Sequence, residues 1–389
     1  MHLSTSHYGG AGIAARRLHQ ALLKSGLNSF LVTLERRSYV PQDAEVAVRR
    51  TFRMKILSFL NSTFSKVISN EAYFTIFSVP AIKYNSLKEF GTPENTIFHV
   101  HNWFNLINLR ILRKLLKDGF RLAFTLHDQR LFTGGCHYSL ECNKYMVNCS
   151  SCPKLPFLIN KITRWNLNKL KKIFREHNEL ITIIAPSIWI ETLGRNSFAL
   201  KDIDIFHVSN THSNFEKADV FLFNRKEIKP GRRIILGVAS TQKNSLIKGS
   251  RLLDEIAQTM KTKGINAEIV FLVDISTKGQ SSEYFWSQID YLLVTSVADN
   301  SPNVIHEAKL LGIPVIATNV GGIPELLNLE YDYLIQVNGH ELDQFEIIIK
   351  KIIANPVFIE PKLIMNNYKF RSEKSINLLI RLYESMLTK

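Results

Sequence analysis

No run of apolar residues in this 389-residue chain approaches the roughly eighteen that a membrane-spanning helix requires, so none of it is expected to cross a bilayer. The first residues lack the features of a signal peptide. Cysteine is scarce. There are four, all between Cys136 and Cys152, which is unlike the spread bridges of a secreted disulfide scaffold. No Gly-x-Gly-x-x-Gly follows the first strand, which argues against a Rossmann dehydrogenase. No zinc finger, RNA-binding motif or recognition helix is present, so nucleic acid ranks low among partners. Net charge is missing from one half only. Residues 201–389 hold 22 basic and 22 acidic side chains, whereas residues 1–200 hold 27 basic and 12 acidic, so the whole excess of +15 lies in the first half. That half suits an anionic partner: a phosphate-bearing acceptor or an anionic membrane surface.

At 45% apolar residues the chain can bury a large core, and its length favours two domains. The most informative stretch runs from Asp299 to Glu325, DNSPNVIHEAKLLGIPVIATNVGGIPE. Tyr291–Ser296 before it reads as a buried parallel strand. Ser301 is suited to cap a helix and Pro302 to its first turn, and the helix runs to about Leu311. Pro314–Thr318 is a second strand, Asn319 to Gly322 a tight loop, and Pro324 opens another helix carrying Glu325. This alternation gathers Asp299, Ser301, Asn303, Glu307, Gly321, Gly322 and Glu325 at one sheet edge, where open α/β sheets bind ligands. Carboxylates there can accept hydroxyl hydrogens from a sugar or a ribose, and backbone amides can bind hydroxyls or phosphate. Two solvated acids near a helix start are the plain alternative.

The chain begins with a short strand of about Met1–Thr5, a turn containing Gly9, Gly10 and Gly12, and a helix from Ala14 to Lys24. Such a turn lets a ligand approach the backbone closely. The strand is unusually short for a sheet centre, so either the start lies upstream or the strand is stubby. Residues 49–83 and 158–177 mix aromatic or aliphatic side chains with Lys and Arg, as helices at an anionic surface do; a core-facing helix with a basic outer side fits the first stretch equally. Arg121–Leu126 is a strand that places His127 and Asp128 at its carboxyl end. Cys136, Cys142, Cys149 and Cys152 can close a tetrahedral zinc site of structural type; two disulfides or four idle thiols remain open. Arg232–Val238 opens a second domain, and Lys248-Gly249 follows in a loop, with Lys243 nearby. Glu268–Val273 reads as a strand, Glu341–Ala354 as a helix and Lys369–Leu387 as a terminal helix.

The pattern Asp299-x7-Glu307 followed by Gly312-Ile-Pro314 and Gly321-Gly-Ile-Pro-Glu325 resembles the donor site of retaining glycosyltransferases of family 4, a large GT-B group. Thr125-Leu-His-Asp128 with Thr133-Gly-Gly-Cys-His-Tyr138 is similar to a subset that builds bacterial polysaccharides. The resemblance implies two Rossmann-like domains facing a central cleft: residues 1–210 binding acceptor, a linker at 211–230, residues 231–365 binding a nucleotide-sugar, and 366–389 returning to the first domain. It implies that Glu307 holds the ribose, that Lys248 and Lys243 neutralise the diphosphate, and that Gly9, Gly10 and Gly12 lie beside the phosphates and the acceptor. It also brings Ser301, Pro302, Asn303, Gly321, Gly322 and Glu325 to the donor, and His127 near the acceptor and donor sugar. The chain departs from the family in having Asp299 where Glu is usual and Ala239 where Arg is usual.

The implied reaction is retaining transfer to a glycan or lipid-linked saccharide acceptor in surface polysaccharide biosynthesis. No catalytic cofactor is expected, since no Asp-x-Asp is placed like a metal site of other glycosyltransferases. The expected location is cytoplasmic, peripheral on the inner face of the cell membrane. A GT-B epimerase or glycan phosphorylase and a noncatalytic basic binding module are the alternatives.

Overall fold

The computed structural model describes residues 1–34, 44–49, 51–52, 54–59, 63, 74–75, 77–211, 231–239, 245–277, 281–355 and 360–388. The chain divides into two compact units, one of Met1–Ser213 with Lys374–Lys389 and one of Asn214–Glu373.

The first unit is built on seven strands: β1 (His2–Ser4), β2 (Leu31–Leu34), β3 (Glu45–Val48), β4 (Ile97–Asn102), β5 (Arg121–Thr125), β6 (Ile181–Ala185) and β7 (Ile205–His207). Their order is β3-β2-β1-β4-β5-β6-β7, and each pairing is parallel. A parallel sheet is covered on both faces, which is why the central strands are almost continuously apolar. Leu122, Ala123 and Phe124 of β5 and Ile183, Ile184 and Ala185 of β6 are all buried. β1 has only three residues although it lies inside the sheet, with His2 in register with Leu31 on one side and His99 on the other. The helix Leu109–Lys117 starts at Asn108, whose side chain accepts from the Ile111 amide. The helix Ile188–Arg195 starts likewise at Ser187, through the Ile190 amide. Leu379, Leu382 and Met386 of the terminal helix pack on Leu18, Leu22, Ala123, Ile184 and Val208 of this unit.

The second unit has five parallel strands: β8 (Ile234–Val238), β9 (Ala267–Phe271), β10 (Tyr291–Val294), β11 (Val315–Thr318) and β12 (Tyr333–Ile335). Their order is β12-β11-β10-β8-β9. The chain steps outward from β8 to β9, then returns across β8 to β10, so the direction of winding reverses between β8 and β10. A crevice at the carboxyl ends of two such strands is where doubly wound sheets bind ligands.

Several boundaries differ from the sequence expectation. The first helix is Gly9–Lys24, so the glycines expected to form a turn lie in its opening turns. The sequence reads a strand over Thr96–Val100 with His101 and Asn102 beyond it, whereas β4 runs on to Asn102, which draws His101 into the strand. The expected strand Glu268–Val273 stops at Phe271, and Leu272–Thr277 is helical. The terminal helix begins at Pro361. The helix Lys161–Glu176 buries Leu167, Leu170, Ile173 and Phe174 in the core, so most of the apolar residues expected at a surface face inward. Residues 54–59 are helical, with Ile56 and Phe59 exposed. Leu60, Lys243 and most of the expected linker lie outside the described residues.

Candidate functional site

In the second unit, three loops converge at the carboxyl ends of β8, β10 and β11. The Lys248-Gly249 loop follows β8. Gly249 has φ +72°, and a Cβ there would stand 1.6 Å from the Thr295 carbonyl oxygen, so only glycine lets this loop lie against the end of β10. Thr295 Oγ1 donates to the carbonyl oxygens of Lys248 and Gly249 at 3.1 and 3.2 Å, and the Val297 amide donates to that of Ile247 at 2.9 Å. The loop after β11 is held in the same way. Gly321 has φ +59°, a Cβ on it would lie 1.8 Å from the Asp299 carbonyl oxygen, and the Gly322 amide donates to that oxygen at 3.0 Å.

These contacts bring Lys248 Nζ to 2.5 Å from Asp299 Oδ2. The Lys248 side chain is 46% exposed and that of Asp299 8%, and the pair lies at the sheet edge where the winding reverses. Sequence reasoning assigned the two residues separate ligand contacts; the fold pairs them with each other. An ion pair with one half-exposed partner contributes about 0–1 kcal/mol, so a more highly charged ligand can take over the ammonium at little cost.

The helix Asn303–Leu310 leads away from this edge with Glu307 on its second turn, half-buried. The expected Ser301 cap is not made. Pro302 occupies the cap position without a side-chain hydrogen bond, and Ser301 Oγ is hydrogen-bonded to His306 Nε2 at 2.7 Å. His306 Nδ1 is in turn bonded to the Tyr368 hydroxyl at 3.0 Å. Pro324–Leu326 is a single 3-10 turn carrying Glu325.

In the first unit, the corresponding winding reversal lies between β1 and β4. His127, just beyond β5, has its Nε2 2.9 Å from His101 Nδ1, and His101 Nε2 is 3.0 Å from His2 Nδ1. The three imidazoles form a hydrogen-bonded chain running from the sheet interior to its carboxyl edge. His99 lies beside them, bonded to Thr125 Oγ1 at 2.6 Å and to the Tyr383 hydroxyl at 2.5 Å. Burial pushes the His127 pKa down to about 4, with Arg130 acting in the same direction and Asp128 opposing. Burial also holds His2, His99 and His101 well below the usual histidine range. The cluster is therefore neutral at pH 7, and each ring has both a donor and an acceptor nitrogen.

Asp128 accepts from the Arg130 amide and is paired with the Arg130 guanidinium at 2.7 Å. Burial alone would raise the Asp128 carboxyl, but Arg130 and His137 bring it below its ordinary value. The guanidinium also lies 4.5 Å from the centre of the Phe104 ring. His101, Asn102, Trp103, His127, Asp128 and Arg130 line a depression at this edge. Gly12 belongs to the same region, but a Cβ there would stand 2.3 Å from the Ser6 carbonyl oxygen, so the close approach is made by the chain itself. Gly9 has φ +72° and open space beside it, and with Gly10 it begins a helix whose cap residue, Tyr8, makes no side-chain cap bond.

Sequence reasoning missed His2, His101 and Arg130 as site residues. His99 and His101 are two apart, so once β4 is extended to Asn102 both must point to one face. That spacing was the available signal. The four cysteines lie in the loop after β5 without disulfides. Among the described residues, the three metal-capable side chains whose donor atoms all lie within 4.8 Å are instead His2, His99 and His101.

Comparison with known proteins adds the following. Residues 202–355 match the family described as glycosyl transferases group 1. A protein of Escherichia coli (strain K12), provisionally named as the colanic acid biosynthesis glycosyl transferase WcaC, is 24% identical over 371 residues, covering 90% of this chain and 89% of that protein. Sucrose-phosphate synthase from Thermosynechococcus elongatus superposes with a TM-score of 0.59 at 17% identity, over 100% of this chain and 98% of that one. Anabaena Alr3699/HepE, solved in complex with UDP and glucose, gives 0.57 at 15% identity, over 99% and 98%. The two parallel sheets with their flanking helices thus have the two-Rossmann-domain GT-B architecture.

Proposed function

We propose that this GT-B glycosyltransferase moves a sugar from a nucleotide-sugar bound at the carboxyl edge of its second sheet to a glycan or lipid-linked saccharide recognised by its first unit, with retention at the anomeric carbon. The observation that carries the donor assignment is the Lys248–Asp299 pair at the winding reversal, flanked by the Gly321-Gly322 loop. The HepE complex with UDP-glucose, although only 14% identical to this chain, makes a uridine nucleotide the first donor to try.

In this reading Lys248 leaves Asp299 for the donor diphosphate and stabilises the charge that develops as the diphosphate departs. Asp299 then accepts from hydroxyls of the transferred sugar. Glu307 accepts from the ribose hydroxyls, and Glu325 lies beside the sugar. Ser301 and Asn303, together with Gly321 and Gly322, present amides, while Pro302 shapes the turn. Lys243, five residues before Lys248 in the sequence, is retained as a second candidate cation. Gly9 and Gly10 bring helix amides toward phosphate or acceptor. A histidine with a pKa of about 4 is a weak base at neutral pH, so His127 acts by hydrogen-bonding a substrate hydroxyl, its tautomer set by His101.

The acceptor assignment rests on charge. The first half carries the whole net +15. Phe157 is 86% exposed and Trp165 48% exposed, and the Lys169 ammonium sits 3.4 Å from the centre of the Trp165 ring. Aromatic side chains interleaved with cations suit an interface with anionic lipid, where each basic residue contributes about 1 kcal/mol. We therefore extend the proposal to peripheral attachment at a cytoplasmic membrane face, where a lipid-linked acceptor would be met.

A panel of nucleotide-sugars assayed by calorimetry and by turnover identifies the donor. With that donor, Lys248→Ala and Glu307→Gln should each weaken binding or turnover by about tenfold or more, roughly 1.4 kcal/mol. Unchanged affinity and turnover in both variants would overturn the site. Product NMR reads the anomeric configuration, and inversion would overturn the retaining assignment.

A further inference from the structure

The loop that follows His127 carries chemistry that sugar transfer does not use. It holds short 3-10 turns at Gln129–Leu131 and Lys144–Met146 and is otherwise irregular until Phe157. Loops of that length are uncommon in compact domains unless something organises them. Cys136, Cys142, Cys149 and Cys152 lie within it, unbridged, and all but Cys142 are buried. Cys136 and Cys152 pack in one apolar cluster with Phe74 and Leu155, and Cys149 Sγ lies against the backbone of Gly134, two residues before Cys136.

The backbone around the last two cysteines is arranged for sulfur. The Gly134 amide donates to Cys149 Sγ at 3.3 Å, and the Lys154 amide donates to Cys152. Cys149 and Ser151 both adopt left-handed backbone conformations, at φ 54° and 49°, which residues with a side chain take up only at a cost. Thr163 Oγ1, buried in the helix Lys161–Glu176, donates to the Cys149 carbonyl oxygen at 2.6 Å, and Lys144 Nζ donates to that of Ser151 at 2.5 Å.

We propose that Cys136, Cys142, Cys149 and Cys152 together bind one structural zinc ion. Four sulfur ligands with a Cys-x-x-Cys half suit a closed tetrahedral site with no open position for catalysis. No three of the sulfurs lie within 4.8 Å of one another as they stand. Rotation about χ1 swings a sulfur by about 3 Å, and zinc binding requires such a rearrangement. The histidine trio is the poorer host. His101 has both nitrogens engaged by His2 and His127, and His99 by Thr125 and Tyr383. The zinc loop would steady the turn beside His127, because the Gln129 amide donates to the His137 carbonyl oxygen at 2.9 Å and Thr133 Oγ1 donates to that of Cys136 at 2.8 Å.

The test is elemental analysis of the whole protein purified without added metal, followed by titration with an organomercurial while released zinc is read with a chromogenic chelator. The expected result is about one zinc per chain, released as about four equivalents of mercurial are taken up. Cys142→Ser, at the least buried position, should keep the fold by circular dichroism. It should also lose zinc to a chelator at least tenfold faster, whereas His99→Asn should leave zinc content unchanged. Any of four results overturns the proposal: less than about a tenth of an equivalent with four freely reacting thiols, a mass deficit showing disulfides, another metal in stoichiometric amount, or zinc that persists in Cys142→Ser and is lost in His99→Asn.

Discussion

Acid should unfold the first unit well before carboxylate protonation becomes general, and the histidine cluster sets the size of the effect. His2, His99, His101 and His127 are neutral in the fold because burial penalises their charged forms. Their folded pKa values lie below the unfolded 6.5, so below that pH the unfolded chain binds protons that the folded chain does not. The stability associated with the neutral rings is therefore full above pH 6.5 and is lost as pH falls toward the folded values, about 4 for His127. For a histidine titrating at 6.5 when unfolded and near 4 when folded, the loss from pH 7 to pH 5 is about 1.9 kcal/mol. The other three shift in the same direction, so each adds to a loss that from His127 alone is already a sizeable part of the roughly 5–15 kcal/mol stability of a typical domain. Urea unfolding at pH 7, 6 and 5 measures this directly. A Trp286→Phe background leaves Trp103, Trp165 and Trp189 as reporters of the first unit. His101→Gln, which can still hydrogen-bond, should reduce the pH-dependent loss. An unfolding free energy at pH 5 within about 1 kcal/mol of that at pH 7 would refute the reasoning.

Other perturbations address the second unit and the basic face. Gly321→Ala should weaken nucleotide-sugar binding by at least about tenfold, since its Cβ would fall 1.8 Å from the Asp299 carbonyl oxygen in a left-handed backbone; wild-type affinity by calorimetry would count against the loop's role. Asp332→Asn should destabilise the second unit by about 3–5 kcal/mol in denaturant titrations, because it removes the counter-ion of Lys309 in the interior, where burial lowers the Lys309 pKa to about 8 even with Asp332 opposing. The double change Lys309→Met with Asp332→Leu should cost much less, and equal losses would show that packing rather than charge is responsible. Vesicles of anionic lipid should sediment the protein at low salt and release it as salt screens the charges, and changing Lys169, Lys171 and Lys172 to Glu should reduce binding. No sedimentation at low salt would leave the basic face to a soluble anionic partner.

The backbone of the candidate edge in the second unit was legible because its signals are local. An apolar strand, a proline at a helix start and paired glycines each fix the backbone within a few residues, whereas β12, only Tyr333–Ile335, was not among the strands read from the sequence. The pairing of Lys248 with Asp299 was not legible, since the two are 51 residues apart and meet only because Gly249 and Gly321 allow their loops to press against the end of β10 and against Asp299. The first unit hid more. His2 and His101 lie 99 residues apart and join through the pairing of β1 with β4, which no local pattern specifies. An error of two residues at the end of β4 was enough to leave His101 in a loop and conceal that it shares a face with His99. At Gly12 the difficulty is of a different kind. Glycine at positions 9, 10 and 12 was read as room for a ligand, but at Gly12 the neighbour is the carbonyl oxygen of Ser6, and a sequence cannot distinguish a backbone approached by substrate from one approached by itself. Long-range pairing therefore decides which motif residues form a site. That is why Lys248 and Asp299, distant in sequence, meet as an ion pair at the edge of the second sheet, and why His127 meets His101 at the edge of the first.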